Sequence, residues 1–99
     1  MKNKKIQLSK GEAIGYSVSC GPFNVIFATT GEGMITCGAF DVVALEKFDF
    51  PAIKMKKESG IKTIDDLVEA EAVVVNALAQ ERGIIEGMSG IECLEKLQN

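Results

Sequence analysis

The segment Phe23–Thr29 constrains this chain more than any other, because it is apolar on both sides of a strand. Under a period of two, Phe23, Val25 and Phe27 point one way and Ile26 and Ala28 the other. Such a strand needs cover on both faces, from its own chain or from another copy. Its neighbours also read as strands. Ile6 and Leu8 alternate with polar residues in a short opening strand. Residues 12–20 carry Ile14, Tyr16, Val18 and Cys20 on one face, with only the small residues Ala13, Gly15, Ser17 and Ser19 on the other, a face that would let the sheet of a second copy approach closely. Gly21-Pro22 separates that strand from Phe23–Thr29.

The next stretch, Thr29 to Asp41, reads as a tight hairpin, a short strand, and a turn at Cys37-Gly38 into a helix. Gly31 and Gly33 supply the positive φ that short hairpin turns use. Gly38 turns the chain without a Cβ and leaves backbone N–H groups open to a ligand. Residues 40–48 follow as a helix that is apolar almost all round through Val42, Val43, Ala44 and Leu45, and therefore buried. Asp49 and Pro51 end it. Residues 52–57 form a further strand with Ile53 and Met55 inward. Lys54 and Lys56 point outward as guards of an exposed edge, with an anion site as the alternative.

The remainder reads as helical. Thr63-Ile64-Asp65-Asp66 makes a capping box, and Ile64, Leu67, Val68, Val75, Leu78 and Ala79 keep helical spacing up to Gly83 as the C′ residue. A break near Ala70-Glu71 divides this span into a short helix and a longer one. Ser89-Gly90-Ile91-Glu92 is a second capping box, opening a final helix through Leu94 and Leu97. The resulting expectation is one α+β domain over residues 1–99, in the order β-β-β-β-α-β-α-α-α. Its sheet is mainly antiparallel and starts from the N-terminal strands, with one buried helix after the Cys-Gly turn and helices at the C-terminus.

Composition removes several functions. A formal charge of −3 disfavours non-specific nucleic-acid binding, which depends on neutralising phosphates. No apolar run approaches the roughly 20 residues of a spanning helix, and no apolar core follows the basic start as in a signal peptide. The reading is therefore a cytoplasmic protein with no membrane and no nucleic-acid partner. Histidine is absent, which removes Cys–His dyads, Ser–His–Asp triads and His-ligated metals from this chain. Cys20, Cys37 and Cys93 have no Cys-x-x-Cys spacing and make neither a disulfide framework nor a zinc site.

Cys37 is the candidate for chemistry. A helix N-terminus just after it would favour the thiolate, whereas Asp41 in the same turn opposes a second anion. A packed, inert thiol is the competing reading. Gly31-Glu32-Gly33 lacks the spacing and the lysine of a phosphate loop, and Glu32 would repel phosphate. The glycines in Gly87-Met88-Ser89-Gly90 are too widely spaced for a helix–hairpin–helix motif, so a helix cap explains them better.

These residues together resemble the YunC-like family of small bacterial and archaeal proteins, a domain of unknown function. The family pattern Thr-x-x-Gly-x-x-x-Cys-Gly-x-x-Asp falls on Thr30, Gly33, Cys37, Gly38 and Asp41. A second pattern falls on Gly60, Ile61, Thr63, Ile64 and Asp65, and a third on Gly83, Ile84, Gly87, Met88 and Gly90. Glu86 and Cys93 depart from it, standing in place of proline and alanine. Lys56-Lys57-Glu58 replaces a Gly-Arg-Ala-like segment. The resemblance implies an α+β fold whose N-terminal β region builds a homotetramer, and it implies no reaction, substrate or cofactor. The leading functional reading is a small assembly or binding protein. A small-molecule ligand would sit at the 33–41 turn, with Thr30, Gly33, Cys37, Gly38 and Asp41 as candidate contacts. The alternative is a thiol enzyme or redox protein using Cys37. The cofactor is unknown.

Overall fold

Phe23–Thr29 lies third in a six-stranded sheet whose spatial order follows the chain. The computed structural model describes residues 1–98. The strands are β1 (Lys2–Leu8), β2 (Gly11–Cys20), β3 (Phe23–Thr29), β4 (Met34–Thr36), β5 (Ala52–Lys56) and β6 (Glu71–Val75). Every neighbouring pair is antiparallel except β4–β5, which is parallel. Helices α1 (Ile64–Glu69), α2 (Ala77–Glu81) and α3 (Gly90–Leu97) complete the α+β fold.

The helices cover one face of the sheet. Ile26, Ala28, Ile35 and Ile53 are fully buried there with Leu67, Leu94 and Leu97 of α1 and α3. Both helices start as the sequence requires. The Thr63 hydroxyl accepts from the Asp66 N–H at 3.0 Å while the Asp66 carboxylate accepts from the Thr63 N–H at 3.1 Å. Ser89 and Glu92 repeat the arrangement for α3. The approach of these layers is very close. A Cβ on Gly90 would lie 2.4 Å from the Leu67 carbonyl oxygen, and one on Gly15 would lie 2.5 Å from Ile64 Cγ2.

That last contact corrects one expectation. The small-residue face of β2 was to admit a second sheet, yet Ala13 and Gly15 are buried under the chain's own α1. The face left open is the opposite one, with Ile14, Tyr16 and Val18.

On that opposite face, cover is partial. Residues 37–51 fold back over β4 and β5, burying Met34, Ala52 and Val42, with Phe27, Phe40, Leu45, Phe50 and Val74 packed at the margin. The expected buried helix over residues 40–48 does not form. The segment is a turn followed by a short 3-10 helix, Ala44–Phe48, none of whose residues is buried. Val42 alone plugs into the sheet, and Val43 and Phe48 are exposed. Asp49 ends the segment in the left-handed region at φ 55°.

Asn76 fastens this cover. Its side-chain oxygen accepts from the Ala52 and Ala79 N–H groups, and its amide donates to the Val42 and Phe50 carbonyls, all between 2.9 and 3.1 Å. All four hydrogen-bonding positions of a fully buried amide are used.

Two further expectations fail together. The helical span from Thr63 to Gly83 is interrupted by β6, where Val73, Val74 and Val75 pack as β-branched residues on a pleated surface. Because β6 pairs with β5, strand β5 is internal, so Lys54 and Lys56 guard no edge. The lysine-rich edge is β1, with Lys2, Lys4 and Lys5.

Candidate functional site

The Thr30-to-Asp41 motif divides into a closed half and an open half. In the closed half, Thr29 and Thr30 tie the hairpin. The Thr29 hydroxyl donates to the Gly33 carbonyl at 2.9 Å, and the Thr30 N–H donates to the same oxygen at 3.1 Å. The Thr30 hydroxyl donates to the Leu97 carbonyl, locking the hairpin to the end of α3. Gly31 takes positive φ as expected, but Gly33 does not. Gly33 is required for proximity instead, because a Cβ there would lie 2.6 Å from Leu97 Cδ2 and 2.8 Å from the Pro51 carbonyl oxygen. Thr30 and Gly33 therefore hold elements together.

Asp41 is occupied as well. Its carboxylate accepts from the Val43 and Ala44 N–H groups at 3.1 and 3.2 Å, capping the turn that leads into the 3-10 helix. Cys37 is fixed against β3: its N–H donates to the Ile26 carbonyl at 2.9 Å, and its sulfur accepts from the Ile26 N–H at 3.4 Å. It is 8% exposed. No helix starts at residue 38, so the dipole expected to activate this thiol is missing.

Gly38 is different from Gly33. It is exposed, does not occupy the left-handed region, and a Cβ placed on it meets nothing within 4 Å. Neither packing nor backbone strain calls for glycine there. What glycine preserves is space, because Cys37, Gly38 and Ala39 line an open hollow of about 320 Å³. Asn24, Lys56 and Lys57 line it too. Spacing along the chain could not have joined Asn24 to Cys37. Lys56 was visible with Lys54 as a basic stripe but was assigned to an edge.

The lysines differ in state. Lys57 Nζ contacts the Asp66 carboxylate at 3.1 Å and the Glu69 carboxylate at 3.2 Å, and hydrogen bonds to Asp66 and then Glu69 raise its pKa. Asp66 is lowered to about 2, first by the Lys62 N–H and then by Lys57. Among the described residues Lys56 makes no ion pair. Cys93 lies fully buried in α3, where desolvation and then the Glu92 charge push its thiol up to about 11, an inert core group. Among the described residues no three His, Cys, Asp or Glu side chains converge as metal ligands, and no helix is long and apolar enough to cross a membrane.

This geometry defines a class: a small α+β protein with a glycine-cornered, lysine-rimmed hollow at the end of β4 and no assembled catalytic group among the described residues. The chain belongs to the family described as a domain of unknown function (DUF1805), whose model matches residues 36–97. That span begins at the last residue of β4 and includes Cys37, Gly38, Ala39, Lys56 and Lys57 of the hollow, the cover segment and all three helices, while Asn24 lies before it. An uncharacterized protein, YunC, from Bacillus subtilis is 39% identical over 75 residues, which is 75% of this chain and 74% of that protein. The YunC-like resemblance in the motifs is borne out. The fold matches the crystal structure of TA1206, a protein of unknown function from Thermoplasma acidophilum, with a TM-score of 0.85. The match covers 97% of this chain and 91% of that one at 23% identity, and it shows the fold alone.

Proposed function

We propose that this chain is a subunit of a cytoplasmic homotetramer that holds a small molecule and performs no chemistry of its own. One observation carries the reading: a row of half-buried rings on the sheet face away from the helices. Tyr16 stacks on Phe27 with centroids 5.1 Å apart, and Phe27 meets Phe40 edge-on at 5.5 Å. Ile14 and Val18 flank the row on β2. The cover over residues 37–51 reaches β3 through Phe40 against Phe27 and leaves Ile14, Tyr16 and Val18 of β2 apolar and half exposed.

A second copy is the occupant that suits it. Tyr16, Val18, Phe27 and Phe40 carry no charge, and Lys5 and Glu12 beside Ile14 offset each other at the margin, so the same surface on two subunits can meet about a two-fold axis. Tyr and Phe bring much apolar area to such a contact at low entropic cost. The three free cysteines suit a reducing compartment. The ligand would enter the hollow at Cys37–Ala39. The thiol reading has no comparable support, since the Cys37 sulfur already accepts a backbone hydrogen bond inside the sheet.

The test is Tyr16→Glu, examined by sedimentation velocity beside the parent. A carboxylate in the centre of an apolar contact should dissociate the assembly, while the circular dichroism of the fold persists. An assembled Tyr16→Glu protein of parental mass would sink the proposal.

A further inference from the structure

The hollow beside Cys37 has a neighbour. A second one, of about 400 Å³, is lined by Lys2, Ser17, Ser19 and Lys62, and again by Asn24. Asn24 is common to both, and the loop before α1 walls both, with Gly60 and Ile61 on the first and Lys62 and Thr63 on the second. Register explains the meeting. Lys2 pairs with Ser17 and Ser19 with Asn24, so the polar ends of β1, β2 and β3 lie side by side.

The charge is uneven for such a chain. Acidic residues outnumber basic ones by 14 to 11, yet neither lining contains a carboxylate. Lys57 is neutralised by Asp66 and Glu69, but among the described residues Lys2, Lys56 and Lys62 make no ion pair. Lys56 is in register with Glu71 without reaching it. Among the described residues the Gly38 and Ala39 N–H groups carry no backbone hydrogen bond, and no group engages the side chains of Ser17, Ser19 or Asn24. Unpaired ammonium groups, hydroxyls and free amides are phosphate-binding chemistry. The lining has no guanidinium fork of the kind that favours planar carboxylates.

We infer that the two hollows form one trough for a small molecule bearing two or more phosphate groups, one near Lys56 and Gly38 and the other near Lys2 and Lys62. This deepens the ligand half of the proposed function and is independent of the assembly half. Asn24 sits between the two ends, where hydrogen bonds to the middle of the ligand would form.

The probe is sodium tripolyphosphate, added to the full-length ¹⁵N-labelled protein at constant ionic strength and followed by amide resonances. Saturable shifts should concentrate at Asn24, Gly38, Ala39 and Lys62. Lys56→Gln and Lys62→Gln should each weaken binding roughly fivefold, while Lys10→Gln and Lys47→Gln leave it unchanged. Equal losses from all four variants would reduce the effect to diffuse charge and overturn the trough. An uncharged probe, ribose, that moves Gly38 and Ala39 when tripolyphosphate does not would keep the hollow and overturn the phosphate assignment. No response to either probe overturns both, whatever the subunit mass turns out to be. Single-stranded DNA that binds more tightly than tripolyphosphate, with affinity growing with length, overturns it in favour of a nucleic-acid path.

Discussion

The two faces of the sheet are finished in opposite ways. On the helix face, α1 and α3 come so close that Gly15 and Gly90 have no space for a methyl group. On the other face, β4 and β5 are covered by an irregular segment pinned through one buried amide, while β2 and β3 keep half-exposed rings. The first face is a completed core, where a change should cost stability. The second is part core and part surface, where a change should alter what the protein joins. The difference in tolerance is the useful lesson, because it separates folding from function by position.

The largest expected effect lies on the closed face. Gly90→Ala places a Cβ against the backbone at Leu67 and Val68, which no rotamer change relieves. A loss of about 3 kcal/mol in urea unfolding is expected. A stable Gly90→Ala protein would mean that α1 and α3 pack more loosely than described.

Next comes the pin. Asn76→Ala orphans two N–H groups and two carbonyls, costing about 2 kcal/mol, and should expose amides near Val42 and Phe50 to hydrogen exchange before the helix face opens. Exchange rising equally on both faces would remove the distinction between them.

How much of this was legible depends on the kind of signal. Strands β2 and β3 and both capping boxes were readable because local chemistry decides them: alternation for the strands, and Thr63 with Asp66 or Ser89 with Glu92 for the helix starts. Strand β6 was hidden because Leu67, Val68, Val75 and Ala79 also fit a helical period, although the run Val73-Val74-Val75 favours a strand. The 40–48 segment misled for a related reason. Its apolar residues are divided between Val42 inside and Val43 and Phe48 outside, a division that follows from tertiary contacts with β4, β5 and Asn76. Of the candidate residues, Cys37 and Gly38 line one hollow. Asn24 and Lys56 join them, and Lys62 lines the neighbouring hollow, only through the sheet register and the loop before α1, which no spacing along the chain encodes.

The smallest effect belongs to acid. Asp66 titrates near 2 in the folded chain, below its ordinary 3.8, so between these values the folded state binds fewer protons than the unfolded one. Its stabilisation is complete above about pH 4 and is lost as pH falls toward 2. Glu92 is lowered too, chiefly by the Ser89 N–H, and acts in the same direction. Asp66→Asn should flatten the acid limb of a thermal-stability profile without changing subunit mass. An unchanged limb would show that the α1 cap contributes nothing to the closed face.

The open face is tested most directly by the mass of the unmodified protein in solution. Multi-angle light scattering at micromolar concentration should give about four times the 10.6 kDa of one chain, or about twice it if only one two-fold contact forms. A mass of 10.6 kDa across the concentration range would contradict the account, leaving Tyr16, Phe27 and Phe40 as surface residues that join nothing.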